Sequence, residues 1–405
     1  MNADTRRLIQ VLFLSAFICV HLRLIPSCFA ETDPHFEKRW LSGQFFSEGA
    51  NFGDFNHDGK PDVVSGPTIW DGPNFTIKHN YMPPVAFDPL GYSKNFFAFA
   101  RDLNGDGWDD IFMIGFPGEQ AFWYENPKGE SNGPWKQHLA FEHVDNESPT
   151  LMPDSNTPPT LICMTGGQIG YAQPDKSDPN KPWAWHPISP KADYQRFTHG
   201  LGIGDVNGDG KFDILEKSGW WEQPESLDGD PMWKKHDVEF SKAGASQMYV
   251  YDVNNDGRND VVCALAAHGY GLAWYENIAG ADGQITFKQH IILSPNPSET
   301  TDGVQFSQLH AVDLVDMNGD GVKDILTGKR YWAHGPHGDP DPEGMPVLYY
   351  FKLTRGEGGT VKFEPHLIDD HSGVGTQIVG KDVNGDGKPD VIVGNKRGTI
   401  LFLSK

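Results

Sequence analysis

The sequence predicts an all-β protein arranged as a ring of seven repeated units, and three observations carry that expectation. The pattern D-x-N-x-D-G-x-x-D occurs six times, starting at Asp54, Asp102, Asp205, Asp252, Asp316 and Asp382. Each copy runs directly into an apolar pair of strand character: Val63-Val64, Ile111-Phe112, Ile214-Leu215, Val261-Val262, Ile325-Leu326 and Val391-Ile392. With 30 Pro and 46 Gly in 405 residues, the chain is interrupted too often for long helices.

The loops come first because everything else is spaced from them. Each copy offers side-chain oxygens at positions one, three, five and nine, a backbone carbonyl at seven, and glycine at six, where the chain must turn sharply. The side chains are Asp54, Asn56, Asp58 and Asp62; Asp102, Asn104, Asp106 and Asp110; Asp205, Asn207, Asp209 and Asp213. The later copies supply Asp252, Asn254, Asp256 and Asp260; Asp316, Asn318, Asp320 and Asp324; Asp382, Asn384, Asp386 and Asp390. Hard oxygen donors in that number suit Ca²⁺, so about six structural calcium ions are expected. An EF-hand would need Glu at position twelve and flanking helices. That position holds Ser65, Met113, Glu216, Cys263, Thr327 and Val393, so the loop joins strand to strand.

Successive loops start 48, 103, 47, 64 and 66 residues apart, and the long gap spans two periods. Near its middle, Asp154-Ser155-Asn156-Thr157-Pro158-Pro159-Thr160-Leu161 keeps the first Asp and the Asn, which reads as a seventh copy that has lost its metal site. Seven units of about 50 residues imply a ring. A second recurrence agrees: Trp135-x-x-His138, Trp183-x-x-His186, Trp233-x-x-His236, Phe287-x-x-His290 and Phe363-x-x-His366 fall between loops, as outer strands. The first such strand, around Phe36 to Leu41, precedes every loop, and the chain ends in Thr399–Leu403 without one of its own. The N-terminal strand is therefore expected to complete the last unit and close the ring. The aromatic runs Trp123-Tyr124-Glu125-Asn126, Trp220-Trp221-Glu222-Gln223 and Trp274-Tyr275-Glu276-Asn277 read as third strands that pack between units, ahead of a reading as sugar platforms.

Charge and the N-terminus bound the function. The net charge of −22 is largely the eighteen loop aspartates, and nucleic acid is disfavoured as a ligand. Arg6-Arg7, an apolar run from Leu8 to Leu22 and small residues before Glu31 predict a cleaved signal over residues 1–30, with 31–405 forming the domain. Export to the periplasm or outside the cell follows, ahead of a lipid anchor on Cys28, and no later segment is apolar enough to span a membrane. Cys163 and Cys263 occupy strand positions of non-adjacent units and are expected as buried free thiols.

The six loops resemble those of FG-GAP and VCBS repeats, the units of integrin-like propellers. That resemblance implies a seven-bladed β-propeller of four-stranded blades, with Ca²⁺ in the loop between first and second strands. The opposite face and the channel mouth are then free for a ligand. Six residues before each loop start, at the beginning of the innermost strand, stand Glu48, Phe96, Ser148, His199, Ser246, His310 and Thr376. His199 and His310 share that register, and His268 follows the second strand of the unit between them. Three convergent imidazoles point to a transition-metal site, zinc by default.

The unit carrying His310 also inserts Tyr331–Pro342 on this free face. His334 and His337 lie in the insertion, as a fourth ligand or proton-transfer groups; Lys217, Lys329 and Arg330 are candidates to hold an anionic or enolate oxygen. Glu216 breaks the pattern of small and apolar residues at its position, which marks it as a candidate base.

The runs around His199, Glu216, His268, His310 and Lys329–Gly335 resemble the propeller domain of aldos-2-ulose dehydratase and related secreted propellers. The resemblance implies a zinc-dependent carbon–oxygen lyase acting on a keto-sugar, with zinc on His199, His268 and His310. The alternative is a non-catalytic propeller that binds a glycan or a protein. A zinc-free lyase on acidic polysaccharide fits the acidic chain less well.

Overall fold

The computed structural model describes residues 34–130, 133–152, 158–280 and 284–405. The expected signal segment lies outside the described residues, as does the first half of the degenerate loop at Asp154. Twenty-eight strands and a single 3₁₀ turn at Glu357–Gly359 make up the regular structure among the described residues.

Strand β1 (Phe36–Ser42) stands apart from its neighbours in sequence. The next sheet is β2 (Ala50–Gly53), β3 (Asp62–Ser65), β4 (Thr68–Trp70) and β5 (Lys78–Asn80), paired in that order. The same meander recurs in β6 (Phe97–Arg101), β7 (Asp110–Ile114), β8 (Glu119–Glu125) and β9 (Lys136–Val144). A third follows in β10 (Thr150–Leu151), β11 (Leu161–Thr165), β12 (Gln168–Gln173) and β13 (Ala184–Pro187). Two further meanders are β14 (Leu201–Gly204), β15 (Asp213–Glu216), β16 (Gly219–Glu222) and β17 (Lys234–Asp237), then β18 (Gln247–Tyr251), β19 (Asp260–Ala264), β20 (Leu272–Ala279) and β21 (Ile285–Leu293). The next sheet holds β22 (Val312–Val315), β23 (Asp324–Gly328), β24 (Leu348–Arg355) and β25 (Val361–Asp369). The last is β26 (Ile378–Lys381), β27 (Asp390–Asn395) and β28 (Gly398–Ser404), with β1 as its fourth strand. β1 runs antiparallel to β28 from Phe36↔Ser404 to Ser42↔Thr399, so the N-terminal strand closes the ring as the sequence implies.

The expectation of seven separate blades needs correction. The sheets are five of four strands and one of eight, because β14 pairs in parallel with β18 over Leu201↔Gln247, Gly202↔Met248 and Ile203↔Tyr249. The reason is local. A Cβ on Gly202 would sit 2.1 Å from the Met248 carbonyl oxygen, so only glycine permits this approach.

Second strands are buried on both faces, from Asp62–Ser65 through Asp390–Asn395, which accounts for their continuous apolar runs. The outer-strand histidines are structural. His138, His236 and His290 stack on Trp123, Trp220 and Trp274 at 4.0–4.3 Å between ring centroids, directly across the strand pair. Each also hydrogen-bonds the glutamate of the neighbouring strand: Glu125, Glu222 and Glu276, at 2.7–2.9 Å. The third-strand aromatic residues are therefore packing elements. Cys163 and Cys263 are buried free thiols.

Replacing Gly202 by Ala should cost about 1–3 kcal/mol through overpacking against β18, read as a lower midpoint in urea unfolding. An unchanged midpoint would show that the two meanders do not depend on this contact.

Candidate metal centre

In each loop the ninth residue opens the second strand, directly after the innermost strand and its turn. Asp62, Asp110, Asp213, Asp260, Asp324 and Asp390 are all fully buried. In every copy one carboxylate oxygen accepts the amide of the loop's second residue, Phe55, Leu103, Val206, Val253, Met317 or Val383, at 2.9–3.0 Å. The other accepts an amide of the third strand or the residues just after it, Gly72, Asn126, Gln223, Asn277, Leu353 or Ser404, at 2.8–2.9 Å. Burial nevertheless pushes these acids up to about 7 for Asp62, Asp110 and Asp324 and about 6 for Asp213, Asp260 and Asp390. The first residue gathers the turn: Asp205 accepts the amides of Gly208, Asp209 and Gly210 at 2.7–3.1 Å. The donor set is all hard oxygen and suits Ca²⁺. Yet no loop brings three carboxylates within 4.8 Å of one another, whereas two histidine-containing groups among the described residues do.

Those two groups lie on the opposite face. Glu48, Ser148, His199, His310 and Thr376 each stand two residues before an innermost strand, so the ring delivers them to its axis from different sheets. The approach is close. A Cβ on Gly375 would meet the Glu48 carbonyl oxygen at 2.0 Å, and Thr376 donates its amide to that oxygen at 2.7 Å. His268 arrives from the turn between β19 and β20, where the Gly269 carbonyl accepts the Gln308 amide at 2.6 Å.

His199, His268 and His310 meet as the sequence register implies. Their ring centroids are 4.7–5.0 Å apart and their planes stand 76–84° to one another. The Nε2 atoms of His199 and His268 are 2.9 Å apart. Glu147 completes the group, 3.1 Å from His310 Nε2 and 3.8 Å from His199 Nε2. One ligand atom from each of the four residues lies within 4.8 Å of the others. Burial, neighbouring imidazoles and Arg330 hold His199 and His310 well below the usual imidazole range, so both are neutral donors. Three imidazoles and a carboxylate around one point fit a tetrahedral transition metal.

Arg330 sits against this group. Fully buried, it pairs with Glu48, lies 3.7 Å from Glu147 and places its Nη1 2.8 Å from His310 Nε2. A metal held by His310 Nε2 would compete with this guanidinium for the same lone pair. Lys329 is buried beside it, held by Ser307 Oγ at 2.5 Å and by Asp341 at 3.5 Å, and burial lowers its pKa.

The insertion forms the second group, His268, His334 and Asp339. His334 Nδ1 is 2.6 Å from Asp339, His268 Nδ1 is 3.6 Å from it, and the His334 ring lies 4.6 Å from that of His268. Burial would raise Asp339, but hydrogen bonds from His268 and His334 overcome it and hold the acid well below its usual range.

Other sequence candidates stand elsewhere. Glu216 is buried at the end of β15, where Ser218 and Lys235 take its carboxylate at 2.5–3.1 Å. Its departure from the repeat pattern reflects this local network and not a base aimed at the histidines. Lys217 and His337 make no contact with the histidine group among the described residues. Glu147 and Asp339 were the residues that sequence reasoning missed. Glu147 directly precedes the register residue Ser148 of the degenerate unit, which was the available signal.

Two segments match known repeats: residues 252–327 match the FG-GAP-like repeat family, and residues 374–402 the FG-GAP repeat family. No curated protein matches the chain.

The buried ninth carboxylates make stability depend on pH when no cation is bound. Their folded values lie above the unfolded 3.8, so their contribution is full below that value and lost as pH rises through about 6–7. His199 and His310 act oppositely below 6.5, but they are two groups against six. Chelator-treated protein should therefore melt higher at pH 5.5 than at pH 7.5 in calorimetry; a lower melt at pH 5.5 would contradict the assignment.

Proposed function

From a chain that carries FG-GAP repeats in a propeller-like ring of sheets, we propose a secreted, calcium-stabilised β-propeller whose free face is a zinc-dependent carbon–oxygen lyase acting on a keto-sugar. The observation that carries this reading is the convergence of His199, His268, His310 and Glu147 from separate parts of the ring. The oxygen-rich loops and the buried charge of their ninth residues support about six calcium ions. The leader pattern at residues 1–30 supports export, and no helix among the described residues is long and apolar enough to cross a membrane.

His199, His268 and His310, with Glu147, would hold the zinc, which when bound supplies Lewis-acid polarisation of a sugar carbonyl. The remaining steps fall to the protein's own side chains. His334 has its Nδ1 taken by Asp339 and is 49% exposed, which leaves Nε2 to accept the proton from the carbon next to the carbonyl. Lys329, held by Ser307 and Asp341, is suited to balance charge on the enolate oxygen. The electron pair then forms the carbon–carbon double bond as the β-hydroxyl leaves as water, taking the proton that His334 accepted. The resemblance of these runs to the propeller domain of aldos-2-ulose dehydratase supports the choice of substrate class.

With 1,5-anhydrofructose as substrate, His199→Ala should abolish formation of the unsaturated product. His334→Ala should lower kcat about 10²–10⁴-fold with zinc content unchanged. Undiminished turnover in His199→Ala would sink the reading.

A further inference from the structure

Lys396 is a cation in electrostatic reach of the histidine site that has no hydrogen-bond or ion-pair partner among the described residues. It follows Asn395, the last residue of β27, in a turn that Asn395 pins through the Ser372 carbonyl and the Arg397 amide, both at 2.8 Å. Its position in the repeat is informative. Lys396 lies six residues after the buried Asp390, and Arg330 lies six residues after the buried Asp324, so adjacent units place a buried cation at one register.

The two cations differ in what they touch. Arg330 is committed to Glu48, Glu147 and His310. Lys329 is committed to Ser307 and Asp341. Lys396 is 5% exposed, yet among the described residues it has no hydrogen-bond or ion-pair partner. Its ammonium rests 4.8 Å from the centroid of the Tyr92 ring. It remains within electrostatic reach of Glu48, Arg330 and Asp339, three residues of the site. The ammonium keeps access to solvent while its three donors meet no protein acceptor among the described residues, so an incoming anion finds them free. The Tyr92 ring, 39% exposed, offers the flat apolar face that a sugar ring packs against.

We propose that Lys396, backed by Tyr92, anchors the carboxylate of a sugar acid, so that the centre acts on a uronate or keto-aldonate in preference to a neutral sugar. This narrows the substrate class of the reading above and rests on it. A carboxylate suits the anchor because it gives the ammonium charge-assisted acceptors.

Calorimetric titration of the full-length protein with D-glucuronate and with D-glucose tests it, with zinc content measured on the same samples. The expected result is at least about tenfold tighter binding of glucuronate, a preference lost in Lys396→Met and partly kept in Lys396→Arg. Equal affinity for the two sugars in the unaltered protein, no glucuronate binding up to about 10 mM, or a preference intact in Lys396→Met would each overturn the anchor. A glucuronate preference that vanishes in Lys396→Met, found in protein that holds no zinc as purified, upholds the anchor while removing the metal reading, so the two claims fail separately.

Discussion

Six buried carboxylates hold this fold together. Each ninth-position aspartate ties the start of its own loop to the third strand of the same meander, using one oxygen for each amide. A carboxylate in that position satisfies two backbone donors that would otherwise be buried without partners, at the cost of burying charge. Three other acidic or amide side chains per loop stand close by, and like charge makes the buried acid harder to ionise. A divalent cation bound in the loop would remove that conflict. The acidity of the chain thus follows from the repeat, not from a cationic partner.

The ring then decides where chemistry can happen. Every innermost strand starts near one axis, so residues two places ahead of those strands meet although they are far apart in sequence. Glu147 contacts His310 across 163 residues, and Arg330 reaches Glu48 across 282. No single blade could assemble such a group. The loop-side end of the axis, by contrast, is a cavity of about 1180 Å³ lined by first-strand residues such as Phe99, Tyr249 and Gln377. Several of its polar groups are paired: Asp313 accepts the Gly380 and Leu314 amides, and Gln377 donates to the Ala98 carbonyl.

Much of this was legible in the sequence because repeats expose their own exceptions. The period set the strand order, the early outer strand implied closure by β1, and a shared register singled out His199 and His310. What was not legible depended on three-dimensional choices between near-equivalent readings. Glu216 and Glu147 both break the pattern, but only the fold shows that Lys235 and Ser218 claim the first while the second faces the axis. Asp339 lies in an insertion without a repeat to calibrate it. The fusion of β14 with β18 turns on Gly202, one glycine among many whose meaning appears only beside Met248.

The most direct test of the account is metal content by mass spectrometry on tag-free protein purified without chelator. The account predicts about one zinc together with several calcium ions per chain. Calcium without zinc would contradict the catalytic centre, and the absence of both would contradict the metal-based account as a whole.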